Sequence, residues 1–174
     1  PVSTIGRQII ETLKTHEKIS TAEAKARTLA MLEAVQIRDP ERVFSLYPHE
    51  VSGGMGQRVM IAMMLICGPE LLIADEPTSA LDVTVQLEVL GILDKLVAER
   101  GMGLLLISHD LPLVSHFCDR VAVMYAGHVM EELKASDLLS AQHPYTRGLL
   151  NCMPSLMHPK ERLPVLTRDP EWLK

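Results

Sequence analysis

Aromatic residues are scarce in this chain: two Phe, three Tyr and one Trp, 3% of 174 residues. That scarcity argues against a nucleic-acid reader built on base-stacking side chains. An excess of positive charge is missing as well. The formal net charge is −5, which argues against a protein held on nucleic acid mainly by phosphate contacts. Three cysteines, Cys67, Cys118 and Cys152, stand far apart, and no CxxC pair is present. The seven His offer no HExxH or comparable zinc spacing, so the thiols are expected to be free and buried in a reducing compartment. No apolar run approaches the roughly 18 residues that span a bilayer, and no signal-peptide pattern opens the sequence, so any membrane role is expected to be peripheral. Repeats and low-complexity tracts are absent too. The balance is 47% apolar and 22% charged residues, with the apolar mass in Leu, Val, Ile, Ala and ten Met. Such a composition builds a packed core, and the length fits one ordinary domain.

The first third reads helical. Ile5, Ile9 and Leu13 recur at helical spacing, and a second run places Ala22, Leu29, Leu32 and Val35 behind Ser20 or Thr21 as caps. Asp39-Pro40 and Tyr47-Pro48 punctuate the stretch after that run. Ser52 then precedes two glycines and the apolar run Val59 to Cys67, stopped by Gly68-Pro69, which predicts a capped helix. From Leu71 the pattern changes. Leu71 to Ala74 and Leu104 to Ile107 are short continuous apolar runs, predicted as strands buried on both faces. A helix is predicted from Val83 to Glu99, a short one from Leu111 to Phe117, and a third strand from Arg120 to Tyr125. Ala126-Gly127 reads as a hairpin turn into His128 to Glu131. Helices near Ala135 to Ser140 and Pro144 to Met153 precede a Pro-rich, polar end. The alternation of strand and helix predicts α/β architecture with parallel strands joined by crossover helices.

Four places carry candidate chemistry. Asp75 and Glu76 close the first strand, where open α/β sheets bind ligands. Two adjacent carboxylates there either face a cation, such as Mg²⁺ on nucleotide phosphates, or cap a nearby helix. Ser52-Gly53-Gly54-Met55 opens a helix, either as a glycine-rich cap or as an anion site of unshielded amides. His109 follows the second strand in Ile107-Ser108-His109-Asp110, and Asp82 precedes the helix at Val83, which it could simply cap.

Read in order, Val51 to Arg58, Leu71 to Asp82 and Ile107 to Asp110 resemble the ATP-binding subunit of an ABC transporter, in register over nearly the whole chain. Tyr47-Pro-His-Glu50, Cys118 to Gly127 and His143 to Leu150 resemble one branch, the oligopeptide and dipeptide importers, whose relatives carry nickel, D-Ala-D-Ala or microcin peptides. The resemblance implies a fold and three regions. The fold is a partial P-loop NTPase core preceded by part of the helical signature subdomain. The regions are a helical piece over 1–68, the carboxyl-terminal half of the ATPase core over 69–132, and a helical extension over 133–174.

The same resemblance implies roles. Asp75 would hold Mg²⁺ through water, Glu76 would act as general base on the attacking water, and His109 would touch the γ-phosphate. Ser52, Gly53, Gly54, Met55 and Gln57 belong to the signature, which would act on ATP held by the opposite subunit. Asp82 would couple the two sites of a dimer. The partners implied are a second ATPase subunit, identical or related, two membrane-spanning permease subunits and, indirectly, an external solute-binding protein. Nucleic acid is not among them. The location implied is the cytoplasmic face of a bacterial inner membrane.

The chain departs from the pattern in several places. Val51 stands where the family usually has Leu. Gly56 replaces a basic or polar residue and should loosen its helical turn by about 1 kcal/mol. Met130-Glu131-Glu132-Leu133 lacks the glycine that usually comes after the hairpin, so the hairpin exit is expected to differ. The end, Leu163 to Lys174, has no Cys, so no iron–sulfur cluster is expected. The largest departure is that none of the ten glycines begins a GxxxxGK[ST] loop, and the Q-loop is missing. The chain is therefore expected to be the carboxyl-terminal portion of a longer ATPase, inactive alone. Its parallel sheet should lack a member beside Leu104 to Ile107. Two other readings compete: a non-catalytic fragment that folds with a partner or by swapping, and a soluble ABC-type ATPase.

Overall fold

Side chains that accept a backbone hydrogen bond start most of the helices. Ser20 accepts from Glu23 N, Asp39 from Arg42 N, Ser52 from Met55 N and Asp82 from Val85 N. These caps open α2 (Thr21–Ala34), α3 (Pro40–Ser45), α4 (Gly53–Leu65) and α5 (Val83–Arg100), after an initial α1 (Ile5–His16). In this computed structural model the residues described are 2–79 and 81–153, with Val165, Leu166, Asp169 and Trp172. The chain divides into two compact units, Pro1–Ile107 and Ser108–Lys174.

In the first unit, Ile5, Ile9 and Leu13 of α1 are fully buried, as their spacing predicts. In α2 the buried stripe differs from the expected one. Ala24, Thr28, Met31 and Leu32 face inward, with Val35 just beyond, while Ala22 is exposed and Leu29 half-buried. Thr28 can sit inside because its hydroxyl donates to Ala24 O at 2.8 Å. The sequence pattern does not predict α3, although Asp39 as cap and Pro40 at the first turn are its signals.

Strands β1 (Leu71–Asp75) and β2 (Gly103–Ile107) pair in parallel, from Leu71 opposite Gly103 to Asp75 opposite Ile107, with α5 as the crossover. Only one face is covered among the described residues. Leu72 and Ala74 are buried, whereas Leu71 and Ile73 are each 56% exposed, Leu105 50% and Ile107 46%. This corrects the expectation of strands buried on both faces. A two-stranded sheet packed against helices on one side leaves its alternate residues uncovered.

The second unit holds α6 (Leu111–Phe117), β3 (Arg120–Tyr125), β4 (His128–Lys134), a 3₁₀ turn (Ala135–Ser140) and α7 (Pro144–Asn151). The third strand does not extend the parallel ladder: β3 pairs antiparallel with β4 in a separate sheet. Ala126 and Gly127, at φ 47° and 84°, form a tight two-residue turn that brings β4 back with little loop to close. A bulge comes next, since Met124 faces Val129 and Val123 faces Glu131, leaving Met130 extra. At the far end, Trp172 packs on Tyr145, with ring centroids 5.4 Å apart, and on Tyr125 at 6.1 Å. The rest of the Pro-rich end lies outside the described residues.

The three cysteines are half-buried rather than buried, and burial pushes the Cys67 and Cys118 thiols up. Among the described residues no helix is long and apolar enough to cross a membrane.

Candidate functional site

The amino end of α4 is electrically open. Its first turn carries no acidic residue, so no side chain of α4 itself offsets the positive end of the helix dipole. The Ser52 Oγ accepts from Met55 N at 3.4 Å, and Gly56 N donates to Ser52 O at 2.8 Å. The amides of Gly53 and Gly54 have no acceptor among the described residues, as expected for the first positions of a helix. The Ser52 hydroxyl keeps its proton free to donate outward.

Gly54 has a second reason to lack a side chain. A Cβ built there would lie 2.5 Å from Val85 Cγ1, so the start of α4 packs directly against the start of α5. Ser52, Gly53, Gly54 and Met55 consequently line one cleft with Leu81 and Asp82, of about 700 Å³. The side chain of Asp82 accepts from Val85 N at 3.1 Å, so the capping it could simply perform is performed. Gln57 is half-buried on α4 and does not line the cleft.

Asp75 and Glu76 end β1. Asp75 is exposed and Glu76 half-buried. The Glu76 amide donates to Ile107 O at 2.9 Å, extending the parallel ladder by one rung. Its backbone sits at φ 46°, a left-handed conformation costly for a residue with a side chain. Ser79 N then donates to Glu76 O at 3.1 Å, turning the chain away. The strand end thus projects two carboxylates in succession through a bent backbone. His109 belongs to the second unit and is exposed. It lies between Ser108, whose hydroxyl accepts from Asp110 N at 3.1 Å, and Asp110, which caps α6.

Sequence reasoning missed the arginines that hold α4. Arg58 Nη2 donates to Glu88 Oε2 of α5 at 2.7 Å, and its Nη1 donates to Gln36 O at 3.1 Å. At the other end, Arg100 donates to Leu65 O at 2.9 Å and Arg27 to Ile66 O at 3.0 Å, satisfying carbonyls that a helix terminus leaves unpaired. These partners are 22 to 39 positions apart, beyond the reach of any local spacing rule.

Residues 2–79 match the family model described as ABC transporter. Over 166 residues the chain is 51% identical to a probable peptide ABC transporter ATP-binding protein, y4tR, of Sinorhizobium fredii (strain NBRC 101917 / NGR234), covering 94% of this chain and 50% of that protein. The chain is a relative of ABC transporter ATP-binding proteins. A second relative, the dipeptide transport ATP-binding protein DppD of Haemophilus influenzae (strain ATCC 51907 / DSM 11121 / KW20 / Rd), is 50% identical over 164 residues, covering 94% of this chain and 50% of that protein. The chain spans about half the length of the curated relatives it matches. Solved ABC structures share the fold. A dimeric post-hydrolysis state of the ATP-binding cassette MJ0796 bound to ADP and Pi superposes with a TM-score of 0.67 at 30% identity, over 78% of this chain and 58% of that one. The ABC protein cbiO1 from Clostridium perfringens gives 0.69 at 26% identity, over 79% and 53%.

Proposed function

We propose that this chain supplies the signature and the catalytic carboxylates of the ATP-hydrolysing subunit of an ABC importer for peptides or a related small solute. The observation that carries the reading is the cleft in which the open amides of Gly53 and Gly54, the Ser52 hydroxyl and Asp82 come together. Names of relatives at about half identity, peptide and dipeptide transport ATP-binding proteins, support the cargo class. The phosphate-cradling GxxxxGK[ST] loop, absent from these 174 residues, would come from the remainder of such a subunit.

Phosphoryl transfer asks a protein for position and charge neutralisation more than for covalent help. The amides at α4 and the Ser52 hydroxyl would take the γ-phosphate of ATP bound by a second ATPase subunit. Asp82, anchored as the cap of α5 beside that turn, would pass the state of one site to the other. On the chain's own site, the Glu76 carboxylate would accept the proton of the attacking water, and His109 would donate to the γ-phosphate. Asp75 offers a hard, exposed oxygen donor suited to Mg²⁺, which when bound neutralises phosphate charge. Among the described residues no three His, Cys, Asp or Glu side chains form a metal cage. A Mg²⁺ held by one carboxylate, phosphates and water does not require one. The complex would work beneath two permease subunits at the cytoplasmic face of the inner membrane, fed by an external solute-binding protein.

The uncovered face at Leu71, Ile73, Leu105 and Ile107 favours a second reading of the isolated chain, as a piece that stays non-catalytic until another segment or copy covers it. The test is Glu76→Gln in the intact ATPase. Hydrolysis should fall by roughly 10²–10⁴ while Mg-ATP stays bound, because only the proton acceptor is lost. Undiminished turnover refutes the assignment. The 174-residue chain itself should bind Mg-ATP no better than millimolar, and micromolar binding would mean the phosphates are cradled without a P-loop.

A further inference from the structure

We propose that Arg58 is a positioning residue that holds the Ser52–Gly54 turn in register with Asp82, acting through Glu88 and the Gln36 carbonyl. The inference rests on the proposed function, in which that turn and Asp82 serve the nucleotide.

The two ends of the ion pair lie at the same helical depth. Arg58 lies six positions past the α4 cap Ser52, and Glu88 lies six positions past the α5 cap Asp82. At 1.5 Å per residue both are about 9 Å into their helices. Their 2.7 Å ion pair therefore ties α4 to α5 at equal depth from the two caps. The Gly54–Val85 approach lies nearer the caps, two and three positions past them, and all four residues line the cleft. One contact alone would leave the helices free to pivot, whereas two along the same seam fix how the caps face each other.

The second donor of Arg58 reaches outside this pair of helices. Gln36 follows the α2 cap residue Val35 at φ 60°, and its carbonyl accepts from Arg58 Nη1 at 3.1 Å. The guanidinium thus links α4 to α5 and to the turn that follows α2, with its side chain only 19% exposed while that of Glu88 is 55% exposed. A planar fork with donors on two nitrogens does this; a lysine ammonium donates from a single nitrogen and does not hold that fork. A half-exposed ion pair adds little to stability. Position is another matter, since a 1 Å misplacement near reacting groups costs up to about 100-fold in rate.

The test uses the intact ATPase with Arg58→Ala, Arg58→Lys, Glu88→Ala and the Arg58→Ala/Glu88→Ala double variant. Arg58→Ala should lower kcat about tenfold, leave ATP affinity in the absence of Mg²⁺ unchanged and barely move the melting temperature. The double variant should be no slower than Arg58→Ala, because Glu88 acts only through Arg58. Arg58→Lys, which keeps the charge and stem, should recover part of the rate. Wild-type kcat in Arg58→Ala overturns the proposal, as do losses that multiply in the double variant. Glu76→Gln is measured alongside. If it abolishes turnover while Arg58→Ala keeps wild-type kcat, the positioning role fails alone; if it leaves turnover intact, the functional reading fails first.

Discussion

Replacing Gly54 by Ala adds one methyl group where the structure has no room for it. The new Cβ would lie 2.5 Å from Val85 Cγ1 and 3.8 Å from Val85 Cβ. Carbons at rest sit about 3.5–4.0 Å apart, so one side must retreat by roughly 1 Å or more. Val85 is β-branched and held to one rotamer in a helix, so the strain passes to the seam between α4 and α5. Overpacking of this kind costs about 1–3 kcal/mol. Against it stands the gain of Ala over Gly in a helix, about 0.5–1 kcal/mol. The net expectation is a loss of about 0–2.5 kcal/mol. Gly56→Ala supplies the control, since a Cβ there meets nothing within 4 Å and only the gain remains. Urea unfolding of both variants should separate their midpoints by about 1 M, for a slope near 2 kcal/mol per molar. Adding Val85→Ala to Gly54→Ala should recover most of the loss. Coincident midpoints, or no recovery on trimming Val85, would refute the packing argument.

Two further expectations concern stability. The hydrogen bond from Arg27 holds the Glu17 carboxyl below its ordinary value of about 4.5. A carboxylate lowered by folding stabilises above its unfolded pKa and loses that contribution as pH falls through the folded value. Glu17→Gln should therefore flatten the decline of stability below pH 4.5, as read by acid titration of the unfolding midpoint; an unchanged acid limb would contradict the linkage. Ala126→Asn should raise stability by about 0.5–1 kcal/mol, because Asn-Gly suits a turn with both residues at positive φ and Ala does not. Thermal melting checks it, and a lower melting temperature would count against the turn geometry.

Local chemistry was legible in the sequence wherever it acts over a few residues. Ser52 before Gly53-Gly54, Asp82 before Val83 and Ala126-Gly127 between two strands each announced the element that forms there. Short elements escaped: Pro40–Ser45 has six residues, too few for a period to show. In α2 the many alanines weaken the contrast between faces, and Thr28 turns inward on a hydrogen bond that composition does not reveal. The runs Leu71 to Ala74 and Leu104 to Ile107 are apolar on both faces, so nothing in them distinguishes the covered side from the bare one. The hairpin of β3 with β4 was readable from Ala126-Gly127, whereas the expectation that β3 would continue the parallel order was not met. At the candidate site, the residue types and their order were readable. The shared cleft, the close approach at Val85 and the arginine links were not, because they join positions 22 or more apart.

The charge balance of α4 sets stability against function. Its carboxyl end has no basic residue of its own and is completed by Arg27 and Arg100, guanidinium groups lent by two other helices. Its amino end has no acidic residue in its own first turn. An acidic side chain at the first turn would compensate the dipole by about 0.3–1 kcal/mol. It would also fill, with the protein's own charge, the place proposed for phosphate. A screen for thermal robustness would be drawn toward Asp or Glu at these positions, and a screen for turnover would be driven from them. The helix is kept slightly less stable than its sequence could make it, and its open first turn is what a phosphate group would complete.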